Sequence, residues 1–351
     1  MRILLRSPFS PYSGYGNDGI GMAQALIRAG HDVFVQGTSV QAPLPKDVAD
    51  LFTKPLEPPF DLAIIHENPK GLSIPPEVRA NTTTVIGWTM WEYSNMRNAE
   101  GRSTFREKFK DFDILFGYDQ PSVDGLAEFA GDVPTRVLQG GFMAEQWEPI
   151  ERDWHEGRFG FCMNGMLADR KNPFVAIQAF GELKDEHPDF ELAELHLKTQ
   201  TNFLHPLLEE RYDRLRIHLA TWPQDVLKGF YGKQHVLLAP SRGEGLNVPA
   251  LEFQATGGVV IGTNWGGQSQ WLHPSYSYPL NYQLIAQDPK FPTSLNAEAD
   301  ISHLKQLMLH AFRNRFEVEN KGAVASQIIP SSLSWDAVMR RFFDKMKDTL
   351  K

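Results

Sequence analysis

The stretch that decides the fold reads Pro240-Ser-Arg-Gly-Glu-Gly-Leu-Asn-Val-Pro-Ala-Leu-Glu252, followed by Phe253-Gln-Ala-Thr-Gly-Gly-Val-Val-Ile-Gly-Thr263. The apolar run His235-Val-Leu-Leu-Ala239 in front of it predicts a buried parallel strand. Its own second half predicts a helix ended by Gly257, after which another strand begins. Gly243 and Gly245 permit close backbone approach in the loop, and the helix starts near Asn247 with Pro249 in its first turn, where a missing N–H costs little. Free N–H groups and the positive end of the helix dipole then face the mouth of a sheet, which favours a phosphate or diphosphate. Glu244 and Glu252 bracket that helix start. A carboxylate gains nothing from a phosphate, but it accepts hydrogen bonds from sugar or ribose hydroxyls beside one. The stretch therefore fits a sugar nucleotide.

The Glu244-x7-Glu252 spacing, with Pro-Ser-Arg before it and Ala-Thr-Gly-Gly-Val-Val-Ile after it, resembles the signature of the retaining GT-B glycosyltransferases of family 4. Two glutamates on a solvated helix would share the spacing but not its surroundings. The resemblance is specific from Phe159 to Leu272 and general elsewhere. It implies an α/β fold of GT-B type, two Rossmann-like parallel-sheet domains facing an interdomain cleft. It also implies transfer with retention of configuration, with no metal and no cofactor beyond a nucleotide-diphosphate sugar donor. From family frequency the donor expected is UDP-glucose. Glu244 would hold the transferred sugar, Glu252 the ribose, and Gly245, Leu246 and Asn247 the donor phosphates.

Composition agrees with a soluble globular protein of two domains. The chain has 351 residues, 42% hydrophobic and 22% charged, enough for two cores. A formal net charge of −8 gives no global attraction to nucleic acid or anionic membrane. The single cysteine, Cys162, sits in an apolar run and is expected to be a buried structural thiol. No apolar stretch reaches the roughly 18 residues of a spanning helix, and Met1-Arg-Ile-Leu-Leu-Arg reads as a strand rather than a leader, so a cytoplasmic setting is expected, with the Asn81-Thr-Thr83 sequon unused.

From its start, the chain predicts strands at Ile3 to Phe9, Asp32 to Gln36, Leu62 to His66, Thr83 to Thr89, Asp113 to Phe116 and Thr135 to Leu138. Ser10 to Gly19 reads as a loop before a helix from Ile20 to Ala29. Gly14-Tyr-Gly-Asn-Asp-Gly19 has the Gly-x-Gly-x-x-Gly form of a nicotinamide site. However, its first glycine stands beyond the strand end, and the second strand ends in Gln36-Gly37 without a ribose-binding carboxylate. In the resembled family this loop reaches the donor, which makes Gly14 and Gly16 candidates. His66 and Glu92 lie just past strand ends, where open sheets place their sites. The family's histidine after the strand ending in Trp88-Thr89 is absent here, so His66 or Glu92 is a candidate to orient the acceptor. Asp111-Phe-Asp113 has the Asp-x-Asp form of metal-dependent transferases but stands at a strand entry, which argues against a metal. Helices are expected at Phe105 to Phe112 and Ser122 to Phe129, and the domain break between Gln139 and Glu156.

The second half repeats the pattern, with strands at Phe159 to Met163, Leu195 to Thr199, Arg216 to Ala220, His235 to Ala239 and Val259 to Gly262. Pro173 opens a helix through Leu183 whose core stripe is Phe174, Ile177, Ala179, Phe180 and Leu183. Arg170 and Lys171 stand just before it, where cations oppose the dipole and call for a compensating anion; a donor diphosphate would supply one. In the family a Gly-Arg-Leu-x-x-x-Lys arrangement neutralises the leaving nucleotide. Here Lys171 keeps the lysine and Arg170 replaces the arginine. A polar helix is expected up to about Leu215, and Gln224 to Tyr231 reads as a short helix; the resemblance implies that the loop before it, Thr221 to Pro223, meets the nucleotide base. The Thr263-Asn-Trp-Gly-Gly-Gln268 loop would touch the sugar or close the cleft. Ala297 to Phe316 reads as one helix, and Ser334-Trp335 starts a last one with an apolar face of Trp335, Val338, Phe342, Phe343 and Met346.

The expected domains are residues 1–145 on the acceptor side, 155–330 for the nucleotide sugar, and a terminal helix in 331–351 packing back on the first. Acceptors compatible with the sequence are a glycan, a lipid-linked sugar, a small metabolite or a hydroxymethylated DNA base. The basic cluster Arg102, Arg106, Lys108 and Lys110 is modest for a membrane or DNA partner. The alternatives are a non-catalytic sugar-nucleotide-binding module and an NAD-dependent Rossmann enzyme.

Overall fold

The computed structural model describes residues 1–92, 104–200, 212–286, 294–347 and 349. Two compact units divide the chain. The first holds Met1–Ala144 with Ala286–Leu295 and Ser332–Lys351, and the second holds Glu145–Ile285 with Asn296–Ser331.

The first unit is built on strands β1 (Arg2–Phe9), β2 (Asp32–Val40), β3 (Phe60–His66), β4 (Thr82–Thr89), β5 (Ile114–Gly117) and β6 (Thr135–Val137). They form one six-stranded sheet in the order β2-β1-β3-β4-β5-β6, and every described pairing is parallel. Runs such as Leu62-Ala-Ile-Ile are buried on both faces, as helix-covered parallel strands demand. Helices α1 (Gly14–Arg28), α2 (Lys46–Leu51), α3 (Pro76–Ala80), α4 (Phe105–Phe109) and α5 (Gln120–Ala130) connect them.

The expected loop from Ser10 to Gly19 is corrected here, because α1 already begins at Gly14. Ser13 caps it by accepting a hydrogen bond from the Gly16 N–H at 3.2 Å. Its glycines serve packing. A Cβ on Gly16 would stand 2.5 Å from Ser10, and one on Gly19 would stand 2.1 Å from the Pro8 carbonyl oxygen. Cys162 is fully buried, and burial pushes its thiol well up, as expected of a structural thiol.

The second unit carries β7 (Phe159–Gly165), β8 (Ala193–Thr199), β9 (Leu215–Leu219), β10 (Val236–Ala239), β11 (Val259–Thr263) and β12 (Tyr278–Leu280) in the order β12-β11-β10-β7-β8-β9. That is the doubly wound Rossmann order, with its reversal between β7 and β10. Helices α6 (Pro173–Glu186), α7 (Gln224–Tyr231) and α8 (Val248–Ala255) pack around it, and strands β13 (Tyr282–Ala286) and β14 (Leu295–Ala299) pair as a separate ribbon. Two expectations are corrected. Phe174 is exposed, its place in the α6 stripe taken by Ala176. The helix expected from Ala297 to Phe316 is β14, then α9 (Ile301–Arg313) capped by Asp300, then a break at Asn314 before α10 (Arg315–Leu333). The polar helix expected before Leu215 lies largely outside the described residues.

The last helix, α11 (Trp335–Met346), starts at the Ser334 cap and belongs to the first unit. Trp335 comes so close to α1 that a Cβ on Gly21 would lie 2.0 Å from its ring, and Arg28 pairs with Asp336 at 2.7 Å. The Trp88 ring stacks on Phe342 at 5.7 Å.

Candidate functional site

The point where a doubly wound sheet reverses is where the loops after its strands splay apart and leave room for a ligand. In the second unit the two loops flanking that point are the turn after β7, with Arg170 and Lys171, and the loop after β10, with Glu244. The side chains meet. Lys171 Nζ lies 2.5 Å from Glu244 Oε1 and Arg170 Nη1 lies 3.3 Å from Glu244 Oε2. Arg170 also donates to the Gly243 carbonyl. Glu244 is 4% exposed, and burial alone would raise its carboxyl, but Lys171 and Arg170 outweigh that and hold it below the usual carboxylate range. The anion that the sequence left to a donor diphosphate is thus supplied first by Glu244.

Each of these turns feeds a helix. Asn172 (φ 53°) precedes α6 and Asn247 (φ 65°) precedes α8, both left-handed, and asparagine tolerates that region better than most residues. No side chain caps either helix, and each carries a proline in its first turn. Pro249 in the first turn of α8 has no N–H to satisfy, and the Ala250 and Leu251 N–H groups bond the Asn247 carbonyl at 3.0 and 3.4 Å. The loop after β11 braces this turn. Gly267 N donates to the Glu244 carbonyl at 2.8 Å, Trp271 Nε1 donates to the Leu246 carbonyl at 2.9 Å, and the Asn247 amide donates to Gln268 Oε1 at 2.7 Å. Gly267 packs against Gly245 so closely that a Cβ would stand 1.8 Å from its carbonyl oxygen. The glycines expected to approach a sugar thus approach the backbone of the Glu244 loop.

Glu252 projects from α8 toward Lys198 and Tyr231. Burial lifts its carboxyl to about 8, although Lys198 and Tyr231 pull it down. Lys198, 6% exposed at the end of β8, was missed by the sequence reading; its place at a strand exit was the available signal. Asn164, at the end of β7, donates to the Tyr231 hydroxyl at 2.7 Å. Its Oδ1 is buried without a partner, as is Thr263 Oγ1 at the end of β11. Unpartnered buried oxygens are costly in a finished core, and these two stand at strand exits. Trp222, one of the expected base contacts, has its ring centroid 6.0 Å from Lys198 Nζ.

In the first unit the candidates do not gather into an open site. Gly14 and Gly16 belong to the first turn of α1 rather than to a phosphate loop. His66 is fully buried as the last residue of β3, its Nδ1 3.0 Å from the Ser7 hydroxyl and its Nε2 3.0 Å from the Tyr118 hydroxyl. Both ring nitrogens are engaged, and burial lowers its pKa to about 3, so it is a neutral core histidine rather than an open acceptor group. Glu92 is half-buried at the edge of the described residues. Asp113 pairs with Arg79 at 2.7 Å and accepts from the Val85 N–H, roles internal to the fold. In the basic cluster, Lys110 pairs with Glu107 at 2.6 Å and Lys108 donates to the Lys70 carbonyl; Arg102 lies outside the described residues. Surface hollows of about 810 Å³ along α6 and about 730 Å³ between α4 and α5 contain none of the donor or acceptor candidates; Arg106, Lys110 and Asp113 line the second.

Residues 158–284, which hold the whole Arg170-Lys171-Glu244-Glu252 constellation, match the family described as Glycosyl transferases group 1. The matched residues all lie within the second unit. Within the chain, 33% identity over 111 residues links it to the D-inositol 3-phosphate glycosyltransferase of Corynebacterium jeikeium. That match takes in 29% of this chain and only 26% of the relative's length. Among solved structures, the E. coli one described as trehalose-6-phosphate bound with UDP-2-fluoro glucose covers 99% of both chains at a TM-score of 0.71 and 13% identity. Anabaena HepE in complex with UDP and glucose covers 99% of this chain and 100% of its own at 0.69 and 12%. Over nearly the full chain, then, the two parallel-sheet α/β units have the GT-B type of fold seen in these structures.

Proposed function

We propose that the chain is a retaining glycosyltransferase that moves a hexose from a nucleotide-diphosphate sugar to a hydroxyl acceptor, without a metal. The observation that carries this reading is the Arg170-Glu244-Lys171 cluster at the reversal of the second sheet, beside the uncapped start of α8. As the sugar departs, negative charge develops on the β-phosphate; Arg170, Lys171 and the N–H groups at Gly245 to Asn247 stabilise it. Glu244 accepts from hydroxyls of the transferred sugar and Glu252 from the ribose. In this scheme the acceptor attacks from the face the phosphate leaves, and the phosphate takes its proton. UDP-glucose is the first donor to test, since the two solved neighbours above hold UDP or a UDP-sugar. A glycan, a lipid-linked sugar or a hydroxymethylated DNA base fits the acceptor role.

The test is UDP release from UDP-glucose in the presence of EDTA, with and without candidate acceptors, followed by proton NMR of the product's anomeric centre. An α-linked product formed without metal supports the reading, and a β-linked product contradicts retention. UDP binding with no release under any acceptor points instead to a binding module.

A further inference from the structure

The turn that carries Arg170 and Lys171 is held by a second layer of residues with no part in the donor scheme above. Arg242 Nε meets Glu298 Oε2 at 2.6 Å, and its Nη1 donates to the Asp169 carbonyl at 2.8 Å and to Asp169 Oδ1 at 2.9 Å. Its backbone N–H donates to the Arg170 carbonyl at 2.8 Å. Glu298 Oε1 in turn accepts from the Asn172 amide at 2.9 Å. Four successive residues, Asp169 to Asn172, thus include three tied to one arginine–glutamate pair, and the fourth is Lys171. Glu298 stands on β14, and the Ala297 N–H donates to the Arg242 carbonyl at 2.9 Å, so the ribbon and the β10 loop are joined by backbone as well.

A lysine and an arginine on a short turn before an uncapped helix repel each other and the helix dipole, and both have long, entropically costly side chains. Left alone, the turn would swing them into solvent. Asn172 also has to stay left-handed, which a free turn does not enforce. The guanidinium fork of Arg242 matches the bidentate carboxylate of Glu298 and leaves its other nitrogen for Asp169, a geometry lysine cannot copy.

We propose that Arg242 and Glu298 are positioning residues that aim Arg170 and Lys171 at the terminal phosphate of a nucleoside diphosphate. This rests on the donor reading given under Proposed function, and it adds a specific element to it: selectivity for a diphosphate over a monophosphate set from β14.

The test compares UDP with UMP binding by titration calorimetry on the full chain, because the ratio isolates the terminal phosphate. In Glu298→Ala, UDP is expected to lose about tenfold of its advantage over UMP, with UMP affinity itself kept within about twofold. Glu298→Gln, which keeps an oxygen facing Asn172 and Arg242, should restore most of the ratio. Lys171→Ala serves as reference. A collapsed ratio in Lys171→Ala with an unchanged one in Glu298→Ala overturns the positioning role and leaves the donor reading standing. An unchanged ratio in both overturns the phosphate reading and the inference with it. Equal loss of UDP and UMP in Glu298→Ala would show general loosening and overturn the inference too.

Discussion

Lys171 Nζ stands 2.5 Å from Glu244 Oε1, and the carboxylate it meets is 4% exposed. Arg170 shares that carboxylate, so removing one cation leaves the buried charge still paired. Lys171→Ala should therefore lower turnover by about a hundredfold or more while costing only about 1–2 kcal/mol of stability. Activity assays beside thermal unfolding check this. A comparable loss of both would assign Lys171 to the fold alone.

Arg152 is 8% exposed and closes the base of the same unit. It donates to the carbonyls of Gln234 at 2.8 Å, Ile150 at 3.0 Å and Tyr231 at 3.4 Å, and to Thr256 through both its carbonyl and its hydroxyl at 2.7 Å. Tyr231 ends α7 and Thr256 follows α8, the helix ends where a cation is favoured. Arg152→Ala strands several buried acceptors and should cost about 3 kcal/mol. The melting point should drop in chains with and without UDP by the same amount. A variant that unfolds like the wild type would show those carbonyls to be satisfied otherwise.

Gly267→Ala should act on the site rather than on the fold. Its Cβ would stand 1.8 Å from the Gly245 carbonyl oxygen, and only backbone movement in the Glu244 loop relieves that. The expected result is a loss of roughly tenfold in UDP affinity, with ligand-free melting changed by a few degrees. Unchanged affinity would show that the loop shifts without moving Glu244.

Asp18 makes the first unit pH-sensitive. It is 2% exposed, accepts from the Tyr118 hydroxyl at 2.7 Å, and is lifted by burial from 3.8 to about 7, the hydrogen bond from Tyr118 opposing the rise. Between those values the unfolded chain has released a proton that the folded chain keeps, so stability falls as pH rises from about 4 to about 7. His66 works the other way. Burial lowers it to about 3, so its contribution is lost as pH falls below the ordinary histidine range toward that value. Asp18→Asn keeps an oxygen for Tyr118 and removes the first effect alone. Relative to the wild type, the variant should gain stability between pH 4 and 8, by at most about 4 kcal/mol. A constant difference across that range would show Asp18 to be ionised in the folded protein.

Much of the fold could be read from local pattern. Doubly buried runs such as Leu62-Ala-Ile-Ile and Val259-Val-Ile mark strands without help from the rest of the chain, and Ser334 before Trp335 marks a helix start. What failed depended on distant partners. Leu295-Asn-Ala-Glu-Ala299 becomes a strand by pairing with Tyr282–Ala286, and only Asp300, as a cap, signalled where helix α9 begins. Gly14 to Gly19 looked like a loop because glycine is a poor helix former, yet Ser7, Pro8 and Ser10 press so near that nothing larger fits at Gly16 or Gly19. His66 looked like an exposed strand-end histidine because Ser7, Asp18 and Tyr118, its neighbours in space, are far away in sequence. The meeting of Glu244 with Arg170 and Lys171 was legible because their turns sit at strand exits. Arg242 and Glu298 were not, since each acquires its role only through partners supplied by other strands, while Lys198 carried the same strand-exit signal and was passed over.

The most direct measurement of the central claim is thermal unfolding with UDP, GDP, ADP and NAD added separately to the wild type and to Glu252→Ala. A ligand at about a hundred times its dissociation constant adds roughly 2.7 kcal/mol, well within detection. The predicted result is stabilisation by one glycosyl-carrier nucleotide, UDP first, that disappears in Glu252→Ala. Stabilisation by NAD alone, unaffected by the substitution, would contradict the account.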